Sequence, residues 1–144
     1  MKATPRNPSS IKTMLASRFL GAMKKLKNNN STPSMADKRK RYHAIRAAAY
    51  ASMASVVGPN KAWSRALLRK IKKQRKTTHH HHATNPRSDL GFLGPENDLR
   101  KLVPGGKALD FGRLLNETSD YIQCLRAQVE VMRMIVDYSS NFSF

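Results

Sequence analysis

The chain is expected to be all-α, with a C-terminal dimerisation module of short helix, loop and long heptad helix preceded by basic amphipathic helices and flexible linkers. Three observations predict this. Phe111, Leu115, Thr118, Ile122, Leu125, Val129, Met132 and Val136 follow one another at spacings of 4, 3, 4, 3, 4, 3 and 4, the repeat that keeps one edge of a helix facing a partner helix. A shorter apolar group, Leu99, Leu102 and Val103, precedes it and is cut off by Pro104-Gly105-Gly106, where proline denies a backbone donor and paired glycines favour a turn. In the first half, Ile45, Ala49, Met53 and Val57 stand four apart in an alanine-rich run, which is helical spacing in a helix-favouring composition.

Five segments follow in order. Residues 1–34 form a basic segment in which Ile11, Leu15, Phe19, Met23 and Leu26 keep helical spacing, predicting an amphipathic helix near residues 9–27 that packs on later elements. Its acid-free composition is also that of a mitochondrial transit peptide. Lysine dominates over arginine, however, and the basic character continues far beyond any plausible cleavage site. Asn28 to Ser34 then breaks the pattern; Thr32-Pro33 serves there as linker and need not be a phosphosite.

Residues 35–76 read as a basic, alanine-rich helical region. One helix opens on Lys38, Arg39, Lys40 and Arg41 and stops at Gly58-Pro59. Another spans Asn60 to Lys76, with Trp63, Leu67, Leu68 and Ile71 opposing Arg65, Arg69, Lys72, Lys73 and Lys76. Trp63, the sole tryptophan, sits on the apolar stripe and not among the cations, so it reads as a packing anchor and not as a base-stacking residue.

Residues 77–95 are a linker rich in His, Pro and Gly. The run His79 to His82 invites a metal reading, but adjacent histidines in a flexible segment do not preset the geometry of a structural zinc site. No metal and no cofactor are expected. Residues 96–138 form the dimerisation module, in which Leu114, Tyr121, Gln128 and Ile135 each precede a seam residue and broaden the stripe as a bundle requires. Residues 139–144 are a tail.

Composition narrows the function. With 40% hydrophobic and 7% aromatic residues the chain has little for a large core, so one compact oligomerising module is expected. Residues 1–76 hold 20 Lys or Arg against one acid, Asp37, whereas residues 77–144 hold 7 against 8. A surplus confined to one half suits nucleic acid, acidic partners or import receptors. The single cysteine, Cys124, excludes an intramolecular disulfide and reads as a small, partly buried side chain in a reducing compartment. No apolar run approaches the ~20 residues of a membrane span. Scattered acids, a Ser and Cys inventory without a base partner, and the absence of a phosphate-cradling glycine loop argue against catalysis, so no catalytic residue is assigned.

The order LRKLVPGGKALDFGRLLNETSDYIQCLRAQVEVM resembles the helix-loop-helix half of plant basic helix-loop-helix transcription factors. Ala48-Ala49-Tyr50-Ala51-Ser52-Met53-Ala54, followed by Trp63-Ser64-Arg65-Ala66-Leu67-Leu68-Arg69, is similar to a motif pair carried by an atypical branch. That branch is the growth-inhibiting ILI1-binding bHLH group of brassinosteroid signalling. The resemblance implies a nuclear repressor that pairs, as heterodimer or homodimer, with helix-loop-helix transcription factors and blocks their DNA binding, lowering expression of cell-elongation genes and so limiting plant growth. Its dimerisation residues would be Leu99, Leu102, Val103 and the eight seam residues.

DNA reading by the usual route is not expected. In the typical family a helical basic region contacts bases through a His, a Glu and an Arg. Counted back from Pro104 these roles fall on His81, Asn85 and Asp89, and Pro86 with Gly94-Pro95 would interrupt the helix that delivers them. The clusters Lys38 to Arg41 and Arg69, Lys70, Lys72, Lys73, Arg75 and Lys76 instead suit nuclear import or nonspecific phosphate contact. Two rival readings remain: a nucleic-acid-binding module using residues 35–76 with the C-terminal helices for dimerisation, and an organelle-targeted interaction protein.

Overall fold

A computed structural model describes residues 8–26, 34–76 and 94–141. Among them the chain is all-α: α1 (Pro8–Leu26), α2 (Met35–Val57), α3 (Ala62–Lys76), α4 (Pro95–Leu102), a 3₁₀ turn (Gly106–Ala108) and α5 (Phe111–Asn141). Helix α5 runs three residues past the expected end at Tyr138. The histidine run, Thr32-Pro33 and the positions His81, Asn85, Pro86 and Asp89 lie outside the described residues.

Local chemistry sets the boundaries. Ser34 and Asp37 form a reciprocal capping box at the start of α2: the Asp37 amide donates to Ser34 Oγ at 3.2 Å, and the Ser34 amide donates to the Asp37 carboxylate at 3.2 Å. The Ser34 hydroxyl, which donates to the same carboxylate at 2.6 Å, and then the Ser34 amide hold the Asp37 carboxyl below its ordinary range. Gly58, at φ 82°, ends the helix in a conformation that side chains resist, and its amide returns to Ala54 O at 2.9 Å. Asp110 caps α5, accepting from the Arg113 amide at 2.9 Å.

Helices α1, α2 and α3 pack around one core shared with α5, built on Leu15, Phe19, Met53, Val56, Trp63, Leu67, Leu114, Cys124, Ala127 and Val131. The expected stripes deliver it: Leu15 and Phe19 from α1, Ala49 and Met53 from α2, Trp63, Leu67 and Ile71 from α3 are all buried. Ser64, fully buried, donates to Ala54 O at 3.1 Å and ties α3 to α2. That bond satisfies the buried Ser64 hydroxyl.

A candidate partner-binding face on the long helix

Helix α5 is apolar on two faces, and among the described residues only one of them meets the other helices. Leu114, Cys124, Ala127, Gln128 and Val131 are buried and Tyr121 and Ile135 half-buried, all turned to the core shared with α1, α2 and α3. The heptad seam turns elsewhere. Leu115, Ile122 and Val129 are 47%, 48% and 46% exposed, and Val136, Phe111 and Met132 are exposed too. Thr118 and Leu125, on the seam row bordering the core, are half-buried. Thr118 directs its hydroxyl inward along the helix, donating to Leu114 O at 2.6 Å.

At 100° per residue the core-facing positions and the seam lie roughly a third of a turn apart. Leu114, Tyr121, Gln128 and Ile135 broaden the apolar surface of α5 beyond the seam, as bundle packing requires, and the bundle they join is the chain's own: they begin a second face, filled by its other helices. Of the short helix, Leu102 is 75% exposed, Leu99 is half-buried, and Val103 is buried in the chain's own core.

Acids of α5 fix this orientation. Glu117 accepts from the Trp63 backbone amide at 3.1 Å, supplying the missing acceptor at the start of α3. Lys61 pairs with Asp120, and Lys12 of α1 pairs with Glu130. The Trp63 and Tyr121 rings meet with centroids 5.2 Å apart and planes tilted by 46°. Burial raises the Tyr121 phenol above its ordinary range. In the sequence these carboxylates look scattered; their one signal is that they lie on the long helix of a chain whose other half is strongly cationic.

The loop before α5 is equally constrained. Gly105 has φ 78°, and a Cβ there would come within 3.1 Å of Ala66 Cβ on α3. At Gly106 it would meet Arg100 O at 2.8 Å. The Arg100 guanidinium pairs with Glu96 at 2.6 Å and donates to the carbonyls of Gly106 and Leu109. Two glycines and one arginine thus seat the loop against α3.

The remaining candidates are placed as follows. Lys38 to Arg41 and Arg69, Lys70, Lys72 and Lys73 are exposed, while Arg75 and Lys76 close α3. Cys124 is 2% exposed, and burial pushes its thiol up to about 11, so at neutral pH it is an unreactive core group. Gln128 is 3% exposed with both amide atoms lacking a hydrogen-bond partner, a costly residue in the shared core. Among the described residues no group of three or more His, Cys, Asp or Glu is placed to hold a metal ion, and no helix is long and apolar enough to cross a membrane.

Comparison with known proteins gives this arrangement a context. A family model described as IBH1-like, N-terminal domain, matches residues 8–75. A protein of Oryza sativa subsp. indica named Transcription factor IBH1 is 33% identical, the alignment covering 92% of this chain and 81% of the relative. One of the same name from Oryza sativa subsp. japonica is 32% identical over the same shares. No solved structure matches the chain.

Proposed function

The chain belongs to the IBH1-like family, and from that premise we propose that it is a nuclear regulator of transcription that works by pairing through the exposed ridge of α5. Its rice relatives are named transcription factors, and nothing in such a role calls for catalysis. One observation carries the pairing mechanism. The row Leu115, Ile122, Val129 and Val136 stays in solvent while the other apolar face of the same helix is filled by the chain's own core. An apolar row of this length beside an already satisfied core marks an interaction surface.

The partner proposed is a DNA-binding helix-loop-helix factor. A mixed dimer has one basic region in place of two and loses half the major-groove contacts. The outcome is repression, by analogy with the growth-inhibiting group: lower activation of cell-elongation genes in brassinosteroid signalling, relieved when small helix-loop-helix proteins without basic regions compete for the same ridge.

Two measurements bear on this directly. The chain alone should bind E-box and scrambled duplexes with similar affinity, both weakening steeply with salt, because Asn85 and Asp89 stand where Glu and Arg would read bases. A large E-box preference at physiological salt would favour the rival reading, in which residues 35–76 engage DNA. Added to a DNA-binding helix-loop-helix factor, the chain should remove that factor's E-box complex.

We assign nuclear entry to the two basic clusters. Neutral replacement of Lys38 to Arg41 together with Arg69 to Lys76 should move a tagged protein from nucleus to cytoplasm. The capping box at Ser34 and Asp37 lies outside the substituted residues, so α2 keeps its start. Since 16.2 kDa is small enough for passive entry, retention is compared with an inert tag of similar size; unchanged retention would remove these clusters from import.

A further inference from the structure

The two edges of the α5 ridge are unlike. On one, Leu114, Tyr121, Gln128 and Ile135 lie beneath the N-terminal helices. On the other, Gly112, Ser119, Arg126 and Arg133 recur seven apart and are exposed. Among the described residues neither Arg126 nor Arg133 makes an ion pair: Glu117 and Asp120 are taken by Trp63 N and Lys61, Glu130, which borders a shallow groove with Arg126, is taken by Lys12 of α1, and Asp137, one turn beyond Arg133, makes no ion pair with it.

We propose that this open arginine edge selects a partner helix with Asp or Glu flanking its apolar seam, and that it disfavours a second copy of this chain; the proposal rests on the ridge being the pairing surface. In a parallel self-pair, the arginine edge of one helix faces the Tyr121 and Gln128 edge of its mate. That edge is roofed by α2 and α3 of the cationic half, and Arg46 of α2, whose guanidinium carbon lies 5.4 Å from the Tyr50 ring centroid, acts electrostatically on Tyr121. A second copy therefore presses cations onto Arg126 and Arg133. An antiparallel self-pair does no better, since it sets arginine edge against arginine edge. An acid-flanked helix meets both arginines with opposite charge and leaves the roofed edge alone. A phosphate backbone satisfies the arginines but leaves Ile122 and Val129 in water, so the surface fits a helix and not a nucleic acid.

The test uses the full chain and two fluorescent synthetic helical peptides, each about four heptads long. Both carry leucine at the seam; one has Glu and the other Lys at every flanking position. The Glu-flanked probe should bind about tenfold more tightly at low salt, as rim charges arranged in pairs allow, and the advantage should shrink as salt rises. Arg126→Glu with Arg133→Glu should reverse the preference, whereas Arg113→Glu, away from the ridge, should not change it. In sedimentation at micromolar concentration the chain alone should be monomeric. Equal binding of both probes overturns the edge proposal while leaving the ridge as a pairing surface, and so does a dimer of the chain that Ile122→Glu dissolves. Probe binding that survives Ile122→Glu, or no binding of either probe, removes the ridge reading and this proposal with it.

Discussion

Changing Ile122 and Val129 together to glutamate should leave the fold standing and abolish pairing with a DNA-binding helix-loop-helix factor. Each side chain is about half exposed in the chain alone, at 48% and 46%, so the substitutions remove little from the core. Surface changes of this kind move stability by about 0.5 kcal/mol or less, and the melting temperature should stay within roughly 4 °C. Pairing is affected far more. Fully burying an aliphatic side chain is worth about 1.5–3 kcal/mol, and roughly half of that for each residue is still to be gained at the interface. Two unpaired carboxylates buried in its place add a further penalty. A combined loss of about 4 kcal/mol is nearly a thousandfold in association. Single changes of Arg126 or Arg133 to glutamate should cost no more than about fivefold, because exposed charges contribute about 0–1 kcal/mol. The factor's E-box complex, lost on adding the native chain, should persist with the double ridge variant and be lost again with either arginine variant. Leu125→Glu is a poorer probe, since Leu125 is half-buried against the chain's own core and its loss would disturb fold and interface together. If the Ile122 and Val129 double variant still pairs and still removes the E-box complex, the ridge is not the interface.

The helices themselves were legible because each advertises its buried face at helical spacing: Leu15 and Phe19, Ala49 and Met53, Trp63 and Leu67 all reach the core. Their ends were legible where chemistry is local, as at Gly58 and at the Gly105-Gly106 loop. What periodicity does not encode is which element covers a stripe. Tyr121 and Ile122 are adjacent and both apolar, yet one faces Trp63 and the other faces solvent, and the residue that decides this lies far away in sequence. Cys124, Ala127 and Val131 repeat at 3 and 4 and mark the second face. They are small enough to be passed over beside a run of large aliphatics. The ion pairs from Lys12 and Lys61 to α5 were equally hidden, because a charge is assigned to solvent until its partner is known. The cationic half is thus partly a docking surface for the acids of the long helix.

Trp63→Ala should cost the chain about 3–5 kcal/mol of stability, the range for deleting a fully buried large aromatic. Trp63 is 0% exposed. It stands where α3 begins, its ring against Tyr121 and its backbone amide bonded to Glu117, so it joins the N-terminal helices to the long helix through side chain and main chain at once. Small domains hold only about 5–15 kcal/mol in total, and the cavity therefore threatens the whole assembly of α1, α2 and α3 on α5. Urea unfolding should show the midpoint falling sharply, and the near-ultraviolet circular dichroism of Tyr121 should weaken as its neighbour is lost. Trp63→Phe should cost clearly less: it keeps a ring beside Tyr121 and removes an indole N–H that is buried without a hydrogen-bond acceptor. The same pair separates packing from nucleic-acid stacking. A base-stacking tryptophan would be exposed, and its loss would lower nucleic-acid affinity by about 1–3 kcal/mol with the fold intact. An unchanged urea midpoint in Trp63→Ala would mean that α3 does not depend on this contact, and that the orientation of α5, with its seam left in solvent, is set elsewhere.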